Sequence, residues 1–266
     1  MATVISDALV LGQIDLVDAA APRLCWRNIV TEQNVSATSS VDEEPVTNIA
    51  NPSTAFGWQA ASTDMQEIDI TVNESVDYIG IARHNLRGNG EIRIRVLGNG
   101  VYTTVVDWTR LSRKRQTVLF FISEAAPQEV QIQIRNNSEP PRLGVVYIGR
   151  STRLQRNIYV GHTPVTLGRD VQTVGGFSEN GQYLGELVRR EGRSTSVELE
   201  NLTPDWYRRE LDPFLAQRPR APAFFAWRPD KYSAEVGYVW LTGSPRPSNQ
   251  RPNGMMQISM DFEAIA

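Results

Sequence analysis

Two imidazoles and one thiol are this chain's whole supply of its most versatile catalytic side chains: His84, His162 and Cys25. A thiolate zinc site needs several cysteines, and a histidine-rich site needs its imidazoles side by side. The two histidines fall in different halves of the sequence, so no metal and no cofactor are expected. A single cysteine makes no intrachain disulfide, and between Leu24 and Trp26 it reads as a small buried hydrophobe rather than a nucleophile. Counting alone leaves a Ser-His-Asp arrangement open. However, the sequence has no G-x-S-x-G elbow, no Walker-type loop and no G-x-G-x-x-G after a strand. No catalytic residue is assigned, and the chain is expected not to be an enzyme.

Binding chemistry is better represented. The stretch "ARHNLRGNG" supplies Arg83, His84, Asn85 and Arg87 just after a strand pattern, with Trp58 upstream in "STAFGW". Polar groups beside an aromatic ring could hold a sugar. The competing reading is a loop whose Asn and His bond their own backbone. In "SSVDEEPV", Asp42, Glu43 and Glu44 would need further converging oxygens to hold calcium, and the run reads as a solvated turn.

The densest group of rings lies in "APAFFAWRPDKYSAEVGYVWL", with Phe224, Phe225, Trp227, Tyr232, Tyr238 and Trp240. A ligand platform, a core and a subunit interface are the three candidate explanations. Alternation sets Phe225 and Trp227 on one strand face and Phe224 on the other, while Tyr238 and Trp240 share a face. Rings on one face fill a core, and those on the other require a helix or a neighbouring subunit to cover them.

The elements behind these residues are strands. "EIDITV", "EIRIRV" and "VQIQIR" alternate strictly, with Ile68, Ile70 and Val72, then Ile92, Ile94 and Val96, then Val130, Ile132 and Ile134 on the inward face. "TVLFFI" is apolar throughout, as a strand covered on both faces would be. "GNG" at Gly88 and again at Gly98 marks turns that accept positive φ, and "ENGQ" reads as an Asn-Gly hairpin turn. Near residue 150 the pattern changes, which sets an expected boundary between units 1–149 and 150–266. One short helix is expected near residues 204–215, with Thr203 as N-cap, Pro204 first, Asp205 complementing the dipole, and a distortion near Pro213. "MQISMDFE" then gives a last strand.

Composition agrees with an all-β protein of two domains. The 266 residues carry 27 Lys+Arg against 30 Asp+Glu, a balance that predicts no general affinity for nucleic acid or an anionic membrane. Lys114 and Lys231 are the only lysines, so arginine supplies nearly all the positive charge. GC-rich coding and selection for planar contacts both account for that bias. The first residues lack a basic n-region and carry Asp7, Asp15 and Asp18, unlike a signal peptide, and no apolar run reaches membrane-spanning length. A soluble protein made in a cytoplasm is expected.

Two resemblances sharpen this. Residues 22–149 resemble the galactose-binding-like (discoidin-type) β-sandwich family, on "NPSTAFGWQA" with Trp58, "QEIDITV", "DYIGIARHNL" and "VQIQIRNNSEPPRLGVVYIG". The resemblance implies a jelly-roll β-sandwich whose loops contact sugars, lipids or proteins, or one that acts as a spacer. Many extracellular members staple the sandwich with cysteines, which this chain lacks. Residues 150–266 resemble tail-tip proteins of long-tailed bacteriophages, of the distal-tail or hub-adaptor type. "NIYVGHTP", "STSVELENLTPDWYRRELDPFL", "PAFFAWRPDKYSAEVGYVWLTG" and "RPNGMMQISMDFEAIA" carry it. That resemblance implies a tail-tube-like sandwich or barrel with one flanking helix, assembled as a homo-oligomeric ring, six-fold with three-fold as the alternative. It also implies neighbouring tube and hub proteins as partners and a place in the virion tail, assembled in the host cytoplasm. The alternative function is recognition of a cell-surface glycan by loops of the first unit.

Overall fold

The computed structural model describes residues 3–6, 9–11, 20–86, 88–111, 117–158, 161–217, 222–250 and 254–265. Asp7, Asp15, Asp18, Arg87 and Lys114 lie outside the described residues.

The alternating segments form the first sheet, in the spatial order β4 (Val35–Ala37), β6 (Gln66–Thr71), β11 (Glu129–Arg135), β8 (Glu91–Gly98) and β9 (Val101–Arg110). Its register pairs Ile132 with Ile68 on one side and with Ile94 on the other, so one face is a continuous apolar layer. Asn99 and Gly100 turn β8 into β9 with both residues at positive φ, as an Asn-Gly hairpin requires.

A second sheet lies against that layer: β1 (Thr3–Ser6), β2 (Leu9–Leu11), β10 (Thr117–Ala125), β7 (Val76–Ala82) and β13 (Val145–Gly149). Between the two sheets Ile79, Ile81, Val118, Phe120, Val146 and Ile148 meet Ile68, Ile94 and Ile132, with Trp58 and Ile49 closing one end. A short pair, β5 (Trp58–Gln59) with β12 (Arg142–Leu143), carries that tryptophan.

The third sheet runs β14 (Thr152–Arg153), β3 (Arg23–Cys25), β17 (Ala223–Ala226), β18 (Val236–Leu241), β20 (Met256–Ile265), β16 (Tyr183–Leu202) and β15 (Arg169–Phe177), with β19 (Ser248–Asn249) added to β20. β3 is an early strand that pairs late ones: Cys25 sits opposite Phe224, and Leu24 opposite both Phe225 and Thr152. No barrel closes among the described residues.

The aromatic stretch is divided between two cores. Phe225 packs with Leu24, Val197, Leu199 and Phe262 under the helical segment, and Trp227 packs at that core's margin. Phe224 and Tyr238 face the opposite way, onto Tyr78, Leu119, Phe121 and Tyr147 of the second sheet, with Trp240 beside them. The protein is therefore a stack of three sheets and a helix. "TVLFFI" is apolar on both faces because β10 is covered by the first sheet on one side and the third on the other.

The helical segment α1, residues 204–215, comprises Pro204–Trp206, a wide π-turn Tyr207–Leu211 and a last turn Asp212–Leu215. Pro213 lacks an N–H and its ring crowds the carbonyl four residues back, which accounts for the widened turn just before it. Thr203 holds the N-cap backbone position but its side chain makes no cap. Instead, Gln155 clamps it, donating to Thr203 Oγ1 at 2.9 Å and accepting from Thr203 N at 2.8 Å. Tyr207, Leu211 and Phe214 are buried against the third sheet.

Candidate functional site

Of the loop residues selected from sequence, Trp58 and His84 are buried and Arg83 is exposed. Trp58 is fully buried, and its Nε1 donates to Ser39 O at 2.9 Å and to Ser40 Oγ at 3.0 Å. His84 is buried, while Arg83 is exposed and turns the chain at φ 57°. Asn85 ties its loop to the segment 140–142: its Nδ2 donates to Pro140 O and its Oδ1 accepts from Arg142 N at 2.7 Å. These four residues do not present a common surface to solvent. Asn85 bonds the backbone of the distant segment 140–142 rather than that of its own loop, and Trp58 ties its strand to the segment 39–40.

Asp42 and Glu43 are an exposed turn closed by a bridge between Val41 and Glu44. Glu44 belongs elsewhere, in a two-pronged pair with Arg142 at 2.6 and 2.7 Å. No group of three or more His, Cys, Asp or Glu among the described residues is placed to hold a metal. The Cys25 thiol is pushed up by burial, the wrong direction for a nucleophile. Burial lowers the pKa of His162, whose Nδ1 lies 2.9 Å from Ser196 O, and its ring packs against Trp227 and Phe225. The Thr195 hydroxyl lies 3.5 Å from His162 Nδ1 but donates to Thr163 O at 2.6 Å.

The outer face of the first sheet carries a polar lattice that alternation foretold only as wet. One rung runs Glu67–Gln133–Arg93, with Gln133 Nε2 donating to Glu67 at 2.5 Å and Arg93 Nε donating to Gln133 at 2.6 Å. A second runs Asp69–Gln131–Arg95, with bonds of 2.8 and 3.3 Å. Arg93 and Arg135 cover the Trp108 ring at 4.4 and 3.9 Å, and Arg95 covers Tyr102 at 4.5 Å. The Tyr102 hydroxyl donates to Glu129, which pushes its pKa up to about 12. The lattice links its polar side chains to one another and lays arginines over its own rings.

Where the second and third sheets meet near α1, a cleft of about 910 Å³ is lined by charges of both signs, including Arg27, Asp77, Glu124, Arg150 and Glu210. Arg27 pairs with Glu210 at 3.1 Å and Arg150 with Glu124 at 3.5 Å. Asp77 accepts from Ser151 N at 2.6 Å and from its Oγ at 2.8 Å, while burial raises its pKa. Each ion pair closes within one part, Arg27–Glu210 between the segment after β3 and α1, and Arg150–Glu124 between the end of β13 and β10.

One feature of the surface is not finished. Beyond the point where β16 leaves β20, β15 and the first half of β16 continue as a free two-stranded ribbon. All nine residues of β15 are exposed. Phe177, Leu184 and Leu187 are 71%, 68% and 78% exposed, alongside Val171, Val174, Tyr183 and Val188. At the tip, Ser178 N bonds Gln182 O and Gly181 takes φ 77°, so "ENGQ" sits in a loop of residues 178–182 rather than a two-residue turn. The sequence showed a hairpin here but gave no sign that its valines and leucines would be uncovered.

No family model matches the chain, and no curated protein matches it. Among solved structures, a chitosan-binding module from a chitosanase/glucanase of Paenibacillus sp. IK-5 is similar over 46% of this chain and 98% of its own, at 12% identity and TM-score 0.40. The family 32 carbohydrate-binding module of C. perfringens NanJ, in complex with galactose, is similar over 48% and 98%, at 14% identity and TM-score 0.40. A pectin-binding module is similar over 46% of this chain and 90% of its own, at 11% identity and TM-score 0.38.

Proposed function

We propose that this protein is a non-catalytic structural component of the tail tip of a long-tailed bacteriophage. In this reading it forms a homo-oligomeric ring that joins the tail tube to the host-recognition apparatus. The observation that carries the reading is the projecting ribbon of β15 and β16. It leaves a row of large apolar side chains in water, beside cores that bury their own rings. Patches of that kind mark association, and identical subunits meeting head to tail close into rings. Ring order is six by the family resemblance, with three as the alternative, and the adjoining partners are tube and hub proteins. The test is imaging of virions with the protein labelled: a symmetric ring at the distal tail is expected. One copy per particle, or none in the tail, overturns the reading.

A second reading is glycan recognition by the first unit. It is favoured by Phe56, which stands 53% exposed on the loop before buried Trp58. A glycan array probed with the whole protein tests it, with binding lost in Phe56→Ala. Binding unchanged by that substitution, or no binding at all, removes it.

A further inference from the structure

The ribbon differs from an ordinary surface hairpin because each of its two faces carries uncovered apolar side chains, with Glu191 opposite Val171 and Glu186 opposite Gly175 among them on one face. Val174 lies directly opposite Leu187, which puts those two on one face. Thr173 lies opposite Val188 and Phe177 opposite Tyr183, and by alternation along β15 these share the other face with Val171. The Phe177 and Tyr183 rings pack on each other at 5.7 Å, but both stay mostly exposed. A two-stranded ribbon alone in water is marginal, since it has no third strand and no layer over either face. This one must be covered twice.

The charges say by what. Arg169, Arg189, Arg190 and Arg193 are matched by Asp170, Glu179, Glu186 and Glu191 over the same stretch. A strongly basic or acidic partner would be selected by a ribbon of one sign. A ribbon carrying both signs in equal number meets a copy of itself without net repulsion. A two-fold dimer would bury the same face of each ribbon and leave the other face of both in water. A cyclic arrangement seats each ribbon between two neighbours, with the Val174/Leu187 face of one copy on the Val171/Val188 face of the next.

The geometry points to this ribbon as the head-to-tail contact of a cyclic assembly of this chain, each copy offering one face to the preceding subunit and the other to the following one. The inference rests on the ring reading above and adds to it which surfaces meet and with what polarity.

Two single substitutions test it, both at exposed positions where the fold of the protomer does not depend on the side chain. Val188→Glu disables one face and Leu187→Glu the other. Sedimentation of the whole protein across a concentration series is the readout. The wild type is expected to assemble beyond two copies. Each variant alone is expected to stay a single chain, with half-assembly shifted by about a hundredfold or more, as an unpaired charge in a buried contact implies. Mixed together, the two variants each retain one good face, so they form a one-to-one pair and nothing larger. A dyad contact gives a different result: one variant abolishes assembly, the other leaves a dimer, and mixing rescues nothing. If both variants assemble like the wild type, the ribbon is not the contact, although the ring reading stands. If the wild type itself stays a single chain at every concentration, the proposal is overturned, whereas the virion imaging decides the ring reading independently.

Discussion

Phe224 and Gly80 form a lock between the second and third sheets, and its strength can be worked from the geometry. Gly80 lies on β7 between Leu119 of β10 and Tyr147 of β13, and it is the place where the Phe224 ring descends. A Cβ built on Gly80 would lie 2.6 Å from two carbons of that ring. The ring cannot retreat freely, because Tyr238 packs on it at 5.0 Å and Tyr147 meets its edge at 5.7 Å. Gly80→Ala should therefore cost about 1–3 kcal/mol by overpacking, even though alanine is the better strand residue by about 0.5–1 kcal/mol. Phe224→Ala removes a fully buried ring and should cost about 3–5 kcal/mol. In the double variant the added methyl meets a cavity instead of a ring. The alanine at 80 should then be neutral or stabilising, a coupling of about 1–3 kcal/mol. Urea unfolding followed by tryptophan fluorescence measures all four proteins. For a chain of this size, each kcal/mol also corresponds to about 2–4 °C in Tm. Strict additivity of the two substitutions would refute the lock.

Burial raises the pKa of Asp77, so the folded protein holds that proton more tightly than the unfolded chain. Stability therefore falls as pH rises through the window above the unfolded carboxylate range, and Asp77→Asn should flatten that part of a stability–pH profile. Glu91 shifts the other way, lowered first by its hydrogen bond from Arg135, so its contribution is present above the unfolded pKa and is lost as pH falls through the folded one. Glu91→Gln should remove that acid-side loss in the same titration. Arg142→Lys breaks the two-pronged contact with Glu44 at a site about one-quarter exposed, and chemical denaturation should register a cost of about 1 kcal/mol. Trp58→Phe deprives the Ser39 carbonyl of its indole donor and should destabilise by about 1–3 kcal/mol in a thermal melt, with glycan-array binding no different from the parent.

The sheets were legible where alternation was strict. Ile68, Ile70, Ile92, Ile94, Val130, Ile132 and Ile134 all face the core that their spacing assigned them. "TVLFFI" correctly announced cover on both faces, but not whose. The answer depended on Arg23–Cys25, three residues with no period to read, pairing far along the chain with β17. The faces of Phe224, Phe225, Trp227, Tyr238 and Trp240 also followed from alternation. Pattern alone could not separate a neighbouring subunit from the chain's own second sheet as their cover. Trp58 and His84 were chosen for their chemistry, and the burial of both had no signal in the spacing. The β15–β16 ribbon was missed because a valine or leucine in a strand pattern normally signals burial, and uncovered ones leave the same trace in a sequence.

The late pairing of β3 has a consequence for how the chain is made. Cys25 reaches its partner Phe224 only after about two hundred further residues have left the ribosome, a long loop to close. At usual synthesis rates the wait from Tyr147 to Phe224 alone is about 4–15 s, during which Tyr78, Leu119 and Tyr147 of the nascent second sheet have no covering layer. The delay does not end there, because β20 lies between β18 and β16 and is the last described strand to emerge. The third sheet can close only once its centre has been synthesised, so it forms after the strands of the first sandwich are available to assemble. Stalling or early termination between residues 150 and 265 would then release a folded sandwich with an aromatic, aggregation-prone flank.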